Sequence, residues 1–222
     1  MSMVSGLINA LDNVRSGLGA TATEPLTQAA RELLADNKAM LSRQEGEFVE
    51  DFALPNAFGR TVTLSNQLLN GPVVLTFYRG GWCGFCSAYL RALDTAAPAF
   101  REAGAEVLAI SPQTLASSAA TVEKLAVGFP VLSDYDNVVA RAFGLVYVLP
   151  EAFRDAYNTL GIDLPATNGT ETFELPVPAT FVIAGNRRIA YADVNADYTY
   201  RPDPDDLLER VRALQKPVRR TA

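Results

Sequence analysis

Val73-Val-Leu-Thr-Phe-Tyr-Arg-Gly-Gly-Trp-Cys-Gly-Phe-Cys86 decides how this chain is read. Val73 to Tyr78 is its most hydrophobic strand-like run, suited to a strand buried on both faces. Two glycines break the run. From about Gly84 to Phe100, Cys86, Leu90, Leu93, Ala97 and Phe100 then recur at helical spacing. In open α/β sheets a strand turning into a helix marks the functional edge, because strand ends and helix N-termini converge there. A cysteine at that junction meets free backbone amides and the positive end of the helix dipole, so its thiol is expected to ionise easily. Thiolate attacks disulfides and peroxides, and a second cysteine three residues on can close a disulfide with the first.

Outward from this unit, Val107–Ile110 and Phe129–Leu132 read as strands, with a helix from about Ser117 to Ala126. This βαβ alternation implies a mainly parallel sheet covered by helices on both faces. Thr180 to Ala184 and Arg188 to Val194 flank Gly185-Asn186 as an antiparallel hairpin, which makes the central sheet mixed. Asp203-Pro-Asp-Asp206 opens a last helix that turns Leu207, Leu208, Val211 and Leu214 toward the sheet. Phe48 to Leu64 holds a short strand or hairpin around Asn56 and Gly59. Residues 145–177 break the alternation, with a helix from Pro150 to Leu160 and a polar loop of the kind that shapes sites.

The 222 residues suit one core with an extension. We divide them into an N-terminal helical extension (1–45), an α/β domain (46–216) and a tail (217–222). In the extension, Val4, Leu7, Ile8, Leu11, Val14 and Leu18 form one apolar stripe, and Leu26, Ala29, Ala30, Leu33, Met40 and Leu41 form another. Thr23-Glu24-Pro25 supplies the start signal of the second helix.

The absent residue types exclude whole chemistries. There is no histidine, which removes Ser-His-Asp and Cys-His catalysis, HExxH metal sites and imidazole bases. Two cysteines cannot build a disulfide framework or a four-cysteine zinc site, so no metal or cofactor is expected. A net charge of -6 argues against nucleic acid as a partner. No run approaches the ~18 apolar residues of a membrane span. Asp12, Asn13 and Arg15 interrupt the apolar core a signal peptide needs, so a cytoplasmic location is expected.

Two plainer accounts of the cysteines exist: small buried apolar residues, or half of a zinc site shared between subunits. Their joint placement at a strand-to-helix junction favours redox chemistry over both. The run Phe77-Tyr-Arg-Gly-Gly-Trp-Cys-Gly-Phe-Cys86 also resembles the peroxiredoxin-like branch of the AhpC/TSA redoxins. So do Ile110-Ser-Pro-Gln-Thr114, Phe129-Pro-Val-Leu-Ser-Asp134, Ala140-Arg-Ala-Phe-Gly144 and Leu175-Pro-Val-Pro-Ala-Thr-Phe-Val-Ile183. The resemblance covers about residues 46 to 215. It implies a thioredoxin-like α/β fold and reduction of hydrogen peroxide or organic hydroperoxides through a sulfenic acid and a Cys83-Cys86 disulfide. It also implies recycling by a thioredoxin-type thiol reductant.

Carried over by position, the family's Pro-x-x-x-Thr-x-x-Cys sets Pro on Arg79, Thr on Cys83 and the peroxidatic cysteine on Cys86. The family's active-site arginine falls on Pro178. Val177-Pro178 instead resembles the cis-proline that faces C-x-x-C in thioredoxin, which implies a cis bond beside the cysteines. Arg79 and Arg201 are the candidates for the displaced guanidinium. Trp82 and Phe85 are candidate walls for a hydroperoxide or a partner surface, and core packing is the simpler account of Phe77. Cys86 lies on the buried helix stripe while Cys83 precedes it, so the more exposed Cys83 is favoured as nucleophile, as in thioredoxin. The peroxiredoxin register favours Cys86. A protein thiol-disulfide oxidoreductase and a non-enzymatic redox sensor are the alternative functions.

The stripes of the extension are too short to be stable alone and need the domain, or a second subunit of a homodimer, to cover them. Hydrogen exchange over residues 3–41 is therefore expected to be slower than in an unfolded peptide; exchange at the unfolded rate would make the segment a tail.

Overall fold

A computed structural model describes residues 42–195 and 197–215 of the chain. The helical extension and the tail lie almost wholly outside these residues. Where the chain enters, the Arg43 amide donates to the Phe143 carbonyl at 3.0 Å. A hairpin of β1 (Ala53–Pro55) and β2 (Thr61–Thr63) leads through α1 (Leu64–Leu68) into β3 (Val73–Phe77). Next come α2 (Gly84–Glu102), β4 (Glu106–Ser111), α3 (Leu115–Leu125) and β5 (Val131–Ser133). A 3₁₀ turn (Tyr135–Asn137) precedes α4 (Val138–Ala142), β6 (Val146–Val148), α5 (Glu151–Thr159) and α6 (Leu164–Asn168). The chain ends through β7 (Glu174–Pro176), β8 (Ala179–Ile183), β9 (Ile189–Val194) and α7 (Pro204–Gln215).

The central sheet runs β5-β4-β3-β8-β9. The β3/β4 and β4/β5 ladders are parallel, and β3/β8 and β8/β9 are antiparallel, so the sheet is mixed in equal parts rather than mainly parallel. Every residue of β3, its middle strand, is buried. Because side chains alternate across a strand, Val74 joins Leu90, Leu93 and Phe100 of α2 and Leu207 and Val211 of α7 in one core. Val73, Leu75 and Phe77 join Leu64, Leu68, Val139 and Phe143 in the core on the opposite face. Thr76, pointing toward α2, satisfies its buried hydroxyl on Thr180 Oγ1 at 3.1 Å, and Tyr89 Oη lies 3.3 Å from the same oxygen.

The expected α/β elements appear within a few residues of their predicted ends. Leu214 differs from expectation: it is 40% exposed on the outer side of α7. The larger addition lies in residues 145–177, where β6 and β7 pair antiparallel as a separate two-stranded ladder. Strands of three residues are too short for periodicity to show. The short α6 carries its own signals, with Asp163 Oδ1 accepting the Ala166 amide at 2.9 Å and Gly169 closing it at φ 72°. Tyr147, Leu149, Tyr157, Leu164, Leu175 and Val177 form a third cluster there, packed against Trp82. No helix among the described residues is long and apolar enough to cross a membrane.

Phe181 of β8 is fully buried, with its ring 6.1 Å from Phe77 and 5.0 Å from Phe143. Phe181→Ala is expected to cost ~3–5 kcal/mol, read as a lower urea midpoint with unchanged slope.

Candidate active site

The turn between β3 and α2 is shaped by close approaches that only glycine allows. Gly80 has φ 155°, and a Cβ there would lie 2.2 Å from Trp82 Nε1. A Cβ on Gly81 would lie 2.2 Å from Thr121 Oγ1 of α3. The Gly81 amide donates to Gln113 Oε1 at 2.9 Å, and the Gly81 carbonyl accepts from Ser87 Oγ at 3.0 Å, so the turn is pinned on both sides. Cys83 then takes the N-cap position of α2 in extended backbone, and its Sγ accepts the Cys86 amide at 3.4 Å. The sulfur thus does what a capping Ser or Asp oxygen does, at the positive end of the helix.

The structure brings together Cys83, Cys86, Arg79 and Arg201. Arg79 Nη2 donates to Cys83 Sγ at 3.2 Å, and Arg201 Nη2 donates to Cys86 Sγ at 3.1 Å. Arg79 follows β3, whereas Arg201 lies between β9 and α7. Both arginines are only 6% exposed. Arg79 Nη1 donates to Tyr157 Oη at 2.9 Å, and its guanidinium lies 4.2 Å from the Tyr198 ring centre and 5.2 Å from that of Trp82. Arg201 Nη1 donates to the Tyr198 carbonyl at 2.8 Å and to the Tyr200 carbonyl. Among the described residues, the ion pairs are Arg43–Glu47 and Arg141–Glu174, so no carboxylate pairs with either buried guanidinium.

Exposure does not distinguish the two thiols, contrary to the expectation for Cys83: it is 3% exposed and Cys86 is 0%. Charge distinguishes them. Burial pushes the Cys83 thiol up, but the hydrogen bond from Cys86 and the guanidinium groups of Arg79 and Arg201 more than offset it and hold it well below the ordinary range. Burial raises the Cys86 thiol, and the hydrogen bond to Cys83 with its negative charge raises it further. The two thiols, which are not joined by a disulfide, are therefore pushed in opposite directions, Cys83 toward thiolate and Cys86 toward thiol.

Trp82 stands at the site, half-buried, with its ring edge-on to Tyr157 at 5.5 Å. Its Nε1 and Arg79 Nε are buried donors with no hydrogen-bond partner among the described residues. Phe85 packs edge-on to Tyr198 at 5.7 Å, whereas Phe77 belongs to the core on the far face of the sheet. The expected cis bond at Val177-Pro178 is absent: no described peptide bond is cis. A trans proline is tolerated just ahead of a strand, and the ladder begins one residue later, where Ala179 pairs with Phe77. Pro178 thus enters the same sheet edge as Arg79 without the thioredoxin geometry. Sequence reasoning missed Tyr147 of β6, Tyr157 of α5 and Tyr198 of the turn after β9, which carry no motif. Gln113 sat unremarked inside the quoted Ser-Pro-Gln.

Residues 46–192 match the AhpC/TSA family model. A protein of Mycobacterium tuberculosis H37Rv named as a peroxiredoxin is 34% identical over 170 residues, 77% of this chain and 97% of that one. The chloroplastic peroxiredoxin Q of Triticum aestivum is 34% identical over 101 residues, and this chain spans 46% of its length. The crystal structure of peroxidoxin BcpB from M. tuberculosis superposes with a TM-score of 0.62 at 26% identity, over 78% of this chain and 99% of that one. The family match runs from ahead of β1 into β9 and takes in the cysteine turn, so this chain belongs to the AhpC/TSA family.

Proposed function

We propose that the chain is a thiol peroxidase in which Cys83 attacks hydrogen peroxide or an organic hydroperoxide and Cys86 resolves the product. The observation that carries this is the setting of Cys83 Sγ, which accepts from both a helix N-terminal amide and the Arg79 guanidinium. The Cys83 thiolate attacks one peroxide oxygen; an S–O bond forms, the O–O bond breaks, and the other oxygen leaves as water or alcohol on taking a proton. Arg79 beside the sulfur and the unpartnered Trp82 Nε1 are donors available to the oxygens as charge moves onto the leaving one. The Cys86 sulfur then attacks the sulfenic sulfur, an S–S bond forms and water leaves. A dithiol donor of the thioredoxin type returns both thiols. Pro178, at the same sheet edge, is proposed to border the bound substrate.

The charge distribution supports Cys83 rather than the Cys86 of the peroxiredoxin register, because thiolate is the nucleophile and Cys83 is the thiol held ionised. The peroxiredoxin names of the relatives favour a peroxide over a protein disulfide as the oxidant. A compartment that keeps thiols reduced, the cytoplasm, suits the cycle.

One equivalent of peroxide is expected to convert the reduced protein to a Cys83-Cys86 disulfide, seen by mass spectrometry after alkylation. Both thiols remaining alkylated after hydrogen peroxide and alkyl hydroperoxides alike would sink the proposal. Cys86→Ser should still react and give a trappable sulfenic acid, while Cys83→Ser should not; the reverse pattern returns the nucleophile to Cys86.

The rate of peroxide reduction is expected to stay level across neutral pH and to fall as acid protonates Cys83. Arg79→Gln removes a charge-assisted hydrogen bond worth ~1.5–3 kcal/mol, so the rate at pH 7 should drop about tenfold or more. The whole pH profile should move toward alkali. An unmoved profile would show that Arg79 does not hold the thiolate.

A further inference from the structure

We propose that the Cys83-Cys86 disulfide is an oxidising one, so that a low-molecular-weight monothiol of the glutathione class is a sufficient reductant. The inference rests on the peroxidase reading only in taking this disulfide as the species that must be reduced in each cycle. Its ground is the balance of buried charge. In the dithiol state two guanidinium groups, each 94% removed from solvent, each donate to a different sulfur, and the α2 amide of Cys86 donates to Cys83. No described carboxylate lies within 4 Å of either cation, so the anionic sulfur is their compensating charge.

The other groups facing the sulfurs do not take over that role. Tyr147 of β6 and Tyr157 of α5 keep their protons because burial raises both phenols. Tyr198 offers its ring face to Arg79 and its carbonyl to Arg201. Asp193 of β9 feels Arg201 through space, but it forms no ion pair with that guanidinium, and burial raises its carboxyl.

Closing the disulfide removes the negative charge from Cys83 and leaves both sulfurs as neutral, weak acceptors. The two buried cations then lose the anionic sulfur of the pair they are hydrogen-bonded to, which a folded protein tolerates poorly. An unfolded chain has no such penalty. The fold therefore shifts the thiol–disulfide equilibrium toward dithiol, and the oxidised form is the less stable protein. Electrons balance over two exchanges. One monothiol attacks as thiolate, the S–S bond breaks and a mixed disulfide forms; a second monothiol displaces the protein sulfur. Two electrons have passed to the protein, Cys86 holds a proton, Cys83 leaves as thiolate and the product is the small disulfide.

The test equilibrates the full chain with mixtures of reduced and oxidised glutathione, without peroxide. Occupancy is read by alkylation and by the fluorescence of Trp82, the single tryptophan, 5.2 Å from Arg79. The folded chain is expected to favour dithiol at least tenfold more than the same chain unfolded in urea, about 30 mV for a two-electron couple. That constant should climb tenfold per pH unit where Cys83 is ionised and glutathione is not, since reduction then releases a proton. Arg79→Gln and Arg201→Gln should each move it back toward disulfide. Wild-type dithiol should also unfold at higher urea than wild-type disulfide, a comparison that needs no variant to fold. A shift below tenfold, or a disulfide form more resistant to urea, would overturn the inference. Absence of peroxide turnover alongside the expected equilibrium would instead sink the peroxidase reading and leave this one intact.

Discussion

Two buried guanidinium groups, each hydrogen-bonded to one sulfur of a C-x-x-C pair, set the terms for everything around them. A cation out of water needs an anion or a dense set of acceptors, and here the sulfurs and a few carbonyl and phenol oxygens are all that the described residues supply. The same contacts hold the Cys83 thiol well below its ordinary range. Arginine suits both demands, since it stays charged at any physiological pH and its planar fork reaches two partners at once. Lysine would concentrate its charge and its three donors on one nitrogen and would more readily lose its proton when buried.

The fold can be read as the means of bringing these two arginines to one place. Arg79 arrives at the end of β3 and Arg201 some 120 residues later, just before α7. The antiparallel β3/β8/β9 ladders bring the β9 strand back beside β3, with Phe77 opposite Ala179 and Ala179 opposite Val194. The chain beyond Val194 is thereby delivered to the edge where Arg79 and α2 begin. The two-stranded β6/β7 ladder and α5 add Tyr147 and Tyr157 over Trp82 and close the site from above the sheet. Arg141 paired with Glu174 at 2.7 Å ties that covering segment to α4.

This cover has a functional consequence. Both sulfurs are shielded almost completely from solvent. The shielding keeps the local dielectric low, which strengthens each donor aimed at the sulfurs. A glycine pair makes it geometrically feasible: Gly80 lies against the indole and Gly81 against α3, so the turn is thin enough for Trp82 to fold down over it.

The sequence by itself determined the β3-turn-α2 unit, the thiol chemistry, the β8–β9 hairpin and the family. It did so because long apolar periodicity and a pair of cysteines at a strand end have few other physical meanings. It also marked Arg79 and Arg201 as candidates to replace an arginine whose family position holds Pro178. Only the tertiary structure decided which arginine faces which sulfur, that both thiols are equally buried, and that the Val177-Pro178 bond is trans. It alone supplied Tyr147, Tyr157 and Tyr198 as the surroundings. Those facts depend on contacts between segments far apart in the chain and on three-residue strands below the length at which a period can be seen. The opposite push on Cys83 and Cys86 is likewise a matter of contacts, because the hydrogen bond between the two cysteines lowers one thiol and raises the other while the distant guanidinium groups act on both.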